Sequence, residues 1–174
     1  VNEFNARDLL AQYFGQAWTE LLSDVDFEKL SIRPTDFGWF ERDFPHAIGG
    51  PSSTPNSSFY SAFGSTPYME KYLGEFVKNL IQEEELGVDQ HTDYLGVSFS
   101  ALDSVGHSYG PNSREILDEF RRLDQVIGEL FQVLDERVGQ DRYIAVLTAD
   151  HGAMELPEYL QQTGKQARRI DDEA

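Results

Sequence analysis

Four side chains in this sequence have the types and spacing to do chemistry: Asp103 and His107, four residues apart, and the adjacent Asp150 and His151. Carboxylate oxygen and imidazole nitrogen are standard ligands for zinc and its first-row neighbours. Gly106 lets the intervening loop or turn curl, so that Asp103 and His107 can close on one ion. Asp150 and His151 point in different directions on an extended chain and can share an ion only on a sharp turn, which Gly152 permits. Either motif alone reads as a satisfied turn, with Asp capping an amide and His on a loop. Together they are harder to dismiss, because two of the chain's four His lie in them. The pair reads as a metal site.

The elements around these residues should bring the two motifs together. Asp93–Ser100 is a short apolar run that ends just before Asp103. Pro111–Val138 is strongly helical, with Ile116, Phe120, Leu123, Ile127, Leu130, Phe131, Leu134 and Val138 at helical spacing. Tyr143–Ala149 is a second apolar run, and Asp150 follows it directly. Strand, helix and strand in that order make a βαβ unit with parallel strands. Parallel strands end on one edge of their sheet, the edge where open α/β sheets bind ligands. Neighbouring strands lie about 4.8 Å apart, and paired catalytic metals roughly 3.5–4 Å apart. Each motif can therefore serve one ion of a two-metal site, an arrangement suited to phosphoryl chemistry.

The words around the motifs resemble the alkaline phosphatase superfamily, and within it the single-chain bacterial alkaline phosphatases of the PafA type. They are Val97–Ser113, Arg122-Leu-Asp124 and Leu147–Gly152, with Phe44-Pro-His46, Thr66-Pro-Tyr68 and Glu85-Leu-Gly87 as looser matches. The resemblance implies Asp103 and His107 on a first zinc, and Asp150 and His151 on a second. It also implies an upstream Asp ligand, an upstream Thr nucleophile and a downstream His ligand, none of them matched in this chain. The chain is thus expected to be an internal fragment, with weak or empty zinc sites of its own and no catalytic residue. The implied parent is a periplasmic or secreted zinc phosphatase acting on phosphate monoesters. A phosphodiesterase or nucleotide pyrophosphatase on the same metal frame is the close alternative. A non-catalytic metal-binding or structural module is the rival of a different class.

The composition adds bounds. Lys and Arg number 14 against 31 Asp and Glu, for a net charge of −17. Such acidity disfavours nucleic-acid backbones and anionic membranes as partners, and only local cations would reverse the field for a phosphate ester. There is no Cys, hence no disulfide and no thiolate ligand. No stretch is long and apolar enough to span a membrane.

The expected fold class is α/β, a partial parallel sheet with covering helices. Residues 1–66 are expected to form a helix plus an irregular aromatic-rich section, and 67–174 an αβαβ segment of the metal-binding core. Ala6 to Leu22 carry apolar residues at helical spacing, with Asn5 as a possible N-cap. Ser23–Ser65 has no sustained period and should pack as long loops, with Gly49–Ser58 as its mobile centre. Asn56 matches a glycosylation acceptor, a match that chance accounts for. Thr66-Pro67 should start a helix that stops at Gly87, and Asn112–Glu115 should be a capping box. His46 reads as a packed or hydrogen-bonded His, His91 as exposed, and Thr148 as strand packing. Asp118, Glu119, Asp124, Glu129 and Asp135 read as the wet face of the long helix. Pro157 should open a short helix before a polar tail. A sheet this incomplete should leave apolar edges, covered by the missing remainder of the parent chain or by self-association.

Overall fold

Two long helices form the frame, and each is built as its sequence pattern dictates. The helix α3 spans Pro67–Glu83, behind α1 (Asn2–Ala6) and α2 (Ser57–Phe63). Thr66 is its N-cap residue and Pro67 fills the first turn, where a missing N–H costs nothing. Gly87, beyond its end, takes φ +74°, a conformation that suits glycine. The other long helix, α5, spans Arg114–Arg137, after α4 (Ala101–Tyr109). Its N-cap is Ser113, one residue later than the capping box predicts, and the Ser113 hydroxyl accepts from Ile116 N–H at 3.2 Å. A short α6 covers Pro157–Gln162. The computed structural model describes residues 1–21, 44–49 and 53–169.

The helices α3 and α5 pack through Val77, Ile81, Val126 and Leu130. Gly74 makes this approach possible: a Cβ there would stand 2.6 Å from Val126 Cγ1. A second core joins Trp18, Ile48, Phe59, Phe63, Val105 and Ile116. It ties the aromatic-rich first third of the chain to α4 and the start of α5.

The expected α/β fold is not what forms. Among the described residues the chain is largely helical, and its sheet has two strands, β1 (Ala17–Trp18) and β2 (His46–Ala47), paired antiparallel. The runs expected as parallel strands, Asp93–Ser100 and Tyr143–Ala149, are irregular segments outside any sheet. An apolar run becomes a strand only when a neighbouring backbone offers hydrogen-bond partners about 4.8 Å away. Among the described residues, no backbone does so for either run. Val97 and Phe99 instead lie against the α3–α5 core, while Tyr94, Ile144, Val146 and Leu147 are strongly exposed.

The helix expected from Ala6 to Leu22 also gives way. The segment makes α1, a 3-10 turn at Ala11–Tyr13 and then β1, and Leu22 lies outside the described residues. Asp8 and Gly15 both take positive φ, which interrupts helical winding. Trp18 is drawn instead to a buried partner: its indole N–H donates to Asp118 at 2.7 Å. Much of the stretch expected as loops, 23–43 and 50–52, lies outside the described residues, but Ser57–Phe63 is helical. Asn56 is its N-cap, accepting from Phe59 N–H at 3.1 Å.

Candidate metal centre

Asp103 and His107 stand on a helix, not on the loop or turn the sequence reading placed there. In α4, Ala101 and Val105 are fully buried, and Asp103 and His107 occupy the other face. Residues four apart on a helix stack over one another, so a helix supplies the closure expected of Gly106. His107 Nε2 lies 3.4 Å from Asp103 Oδ1.

Asp150 and His151 come to the same place. His151 Nε2 lies 3.9 Å from Asp103 Oδ1 and 3.4 Å from Asp150 Oδ2. The sharp turn is held locally, with His151 N–H donating to Asp150 Oδ1 at 3.0 Å. His151 Nδ1 is 3.1 Å from the carbonyl oxygen of Gly152. A carbonyl can only accept, so Nδ1 carries the proton and Nε2 of the neutral ring presents a lone pair. That lone pair faces two carboxylates.

All four side chains are more than half exposed, from 54% for Asp103 to 86% for Asp150. With zinc–ligand bonds of about 2.0–2.2 Å, two donors on one ion lie roughly 3.3–3.6 Å apart. Two of the three separations meet this spacing, and the third is slightly longer. Donor type and pairwise spacing therefore suit zinc. The donors meet in pairs, however: among the described residues no group of three or more His, Cys, Asp or Glu side chains is placed to hold a metal ion.

The support beneath α4 went unseen in the sequence. Ser100, the N-cap residue, makes no side-chain capping bond, and its hydroxyl lies 3.1 Å from that of Ser98. The cap comes from α3. Glu70 Oε1 accepts from Ala101 N–H at 2.6 Å and from Leu102 N–H at 3.2 Å. Glu70 is fully buried, as is Glu119 of α5. Burial raises the Glu70 carboxyl above its ordinary range, partly offset by these two amide bonds. Glu119 is pushed up to about 8, by burial first and then by the charges of Glu70 and Asp118, with Arg122 opposing. At neutral pH it is the uncharged acid. A signal for Glu70 did exist. It occupies the buried stripe Pro67, Glu70, Gly74, Val77 and Ile81, where an apolar residue would be ordinary.

The helix face expected to be wet is in part the most buried surface of α5. Asp124 and Glu129 are exposed, but Asp118 and Glu119 are buried. Asp118 accepts from Trp18 at 2.7 Å, from Arg122 Nε at 2.7 Å and from Leu21 N–H at 2.6 Å. His46 pairs with buried Glu115 at 3.0 Å and is ringed by Phe44, Trp18 and Tyr109. His91 is exposed beside Asp89, and Thr148 is exposed. Among the described residues no helix is long and apolar enough to cross a membrane.

The family model for type I phosphodiesterase / nucleotide pyrophosphatase matches residues 7–173. Alkaline phosphatase PhoV of Synechococcus elongatus is 39% identical over 166 residues, covering 92% of this chain and 29% of the relative. Alkaline phosphatase PafA of Elizabethkingia meningoseptica is 30% identical over 171 residues, covering 92% of this chain and 30% of the relative. The crystal structure of wild-type alkaline phosphatase PafA matches with a TM-score of 0.78 at 27% identity, over 95% of this chain and 32% of that one. The chain thus spans less than a third of the length of each of these relatives.

Proposed function

Because the chain belongs to the type I phosphodiesterase / nucleotide pyrophosphatase family, within the alkaline phosphatase superfamily, we propose that it is part of a zinc-dependent phosphatase hydrolysing phosphate monoesters. The observation that carries this reading is the meeting of Asp103, His107, Asp150 and His151, with successive separations of 3.4, 3.9 and 3.4 Å. Asp103 and His107 would hold one ion, and Asp150 and His151 a second. Bound zinc supplies a Lewis acid that withdraws charge from a phosphoryl group and its leaving oxygen. The chain's own part is to bind and orient. The helix α4 holds one pair a turn apart, and the Gly152 carbonyl fixes the His151 tautomer so that Nε2 is the ligating nitrogen. The nucleophile is assigned to no residue of this chain. The resemblance to bacterial alkaline phosphatases suggests a periplasmic or secreted parent, and the net charge of −17 argues against nucleic acid as its partner.

A phosphodiesterase or nucleotide pyrophosphatase is the second reading, favoured by the description of the family model itself. A non-catalytic metal-binding or structural role for this segment is the third, favoured by donors that meet only in pairs. Turnover of p-nitrophenyl phosphate against bis-p-nitrophenyl phosphate by the parent protein separates the first two. We expect the monoester to be preferred, and Asp103→Ala or His151→Ala in the parent to lower both turnover and zinc content. Zinc content unchanged in both variants would remove the metal assignment. Preference for the bis ester would select the phosphodiesterase.

A further inference from the structure

We propose that Glu70 is a positioning residue: it caps α4 from the neighbouring helix α3 and so sets the start and rotation of the helix that carries Asp103 and His107. The inference deepens the metal reading and rests on it for its functional meaning, while the cap itself rests on geometry alone.

The first N–H groups of any helix have no partner within it, and a residue such as Ser at the N-cap ordinarily accepts from one of them. Ser100 does not. Glu70 reaches across from α3 and takes both Ala101 N–H and Leu102 N–H on one oxygen, at 2.6 and 3.2 Å. A carboxylate suits this place, because the amides and the positive end of the helix dipole both favour negative charge. Two amides held by one buried, packed side chain define where α4 begins and how it is turned about its axis. Asp103 lies one residue beyond the second of them, and His107 one turn further. A rotation of α4 by a single residue would carry both side chains about 100° away from His151.

Burial raises the Glu70 carboxyl, and its two amide bonds oppose that rise. Its Oε2 is buried and has no hydrogen-bond partner among the described residues, and both Glu119 oxygens are in the same condition. Two such carboxylates cannot both be ionised in a dry interior. The amide bonds pull Glu70 down against the effect of burial, whereas Glu119 is pushed up to about 8. A protonated Glu119 spares Glu70 the repulsion of a second buried charge.

The test uses the full 174-residue chain with Glu70→Ala and Glu70→Gln. Gln keeps an acceptor oxygen of the same reach, whereas Ala removes it. Two readouts apply: amide hydrogen exchange at Ala101 and Leu102 followed by NMR, and zinc affinity by calorimetry. In Glu70→Ala, exchange at those two amides should quicken about tenfold or more relative to amides in the middle of α5, as loss of two buried hydrogen bonds requires. Zinc affinity should weaken about tenfold, the scale on which outer partners tune a metal site. Glu70→Gln should recover most of both. The proposal is overturned if exchange at Ala101 and Leu102 is unchanged. It is equally overturned if exchange rises uniformly through α3 and α5, or if Gln is as damaging as Ala. Should the unmutated chain bind no zinc while Glu70→Ala frees the two amides, the cap stands, and the metal reading is decided by the zinc content of the parent protein with and without Glu70→Ala.

Discussion

Replacing Glu119 by Gln should flatten the pH dependence of stability. Glu119 is wholly buried. Glu70 faces it from α3, and Asp118 and Arg122 act on it from its own helix, leaving its carboxyl at about 8. In the unfolded chain it titrates near its ordinary value of 4.5. Between these values the folded protein keeps a proton that the unfolded chain has released, so the free energy of unfolding falls as pH rises. The contribution is complete below about pH 4.5 and is lost as pH rises through about 8. Each pH unit within that window is worth about 1.4 kcal/mol, so the full swing is about 5 kcal/mol. Gln has nearly the same shape and no proton to lose. Urea unfolding followed by circular dichroism from pH 5 to pH 9 is the assay. The unmutated chain should lose about 3–5 kcal/mol more than Glu119→Gln across that range. Parallel curves for the two proteins would refute the reasoning, since they would mean that Glu119 is already ionised or solvated in the fold.

Two further substitutions probe the packing that holds the site. Gly74→Ala should destabilise by about 1–3 kcal/mol despite the better helix former, because the new Cβ would lie 2.6 Å from Val126 Cγ1. Val126→Ala should relieve that clash, and a double-mutant cycle by urea unfolding should return a clearly non-additive coupling. Trp18→Phe should lose about 1.5–3 kcal/mol, the value of a hydrogen bond to a charged group, because it deletes the 2.7 Å indole bond to Asp118. Thermal unfolding monitored by circular dichroism checks it, and an unchanged midpoint would show that Arg122 and Leu21 N–H satisfy Asp118 without the indole.

Local signals were legible wherever the deciding interaction lies within a few residues. Thr66-Pro67 and the apolar period of α3 announced that helix, and Ile116 to Leu134 announced α5. The stop expected at Gly87 came earlier, at Glu83, with Glu85 and Gly87 both at positive φ beyond it. Signals failed where a distant partner decides. Ala6 to Leu22 has helical spacing, but Trp18 finds Asp118, 100 residues away, and β1 pairs with β2. Asp118 and Glu119 look like a solvated face because charge on a helix usually is one. Only the packing of Trp18, Leu21 and α3 around them makes them buried.

The order of residues by itself determined which acids and imidazoles stand at the two motifs and that long helices flank the first of them. Those are properties of type, spacing and period, and they need no knowledge of distant neighbours. The tertiary structure decided that Asp103 and His107 ride on a helix, that His151 arrives 3.9 Å from Asp103, and that the apolar runs do not pair as a parallel sheet. It also decided that a glutamate from α3 holds the start of α4. Each of these depends on which backbone and which side chain arrive from elsewhere to take a hydrogen bond or exclude water, and local sequence does not encode that arrival.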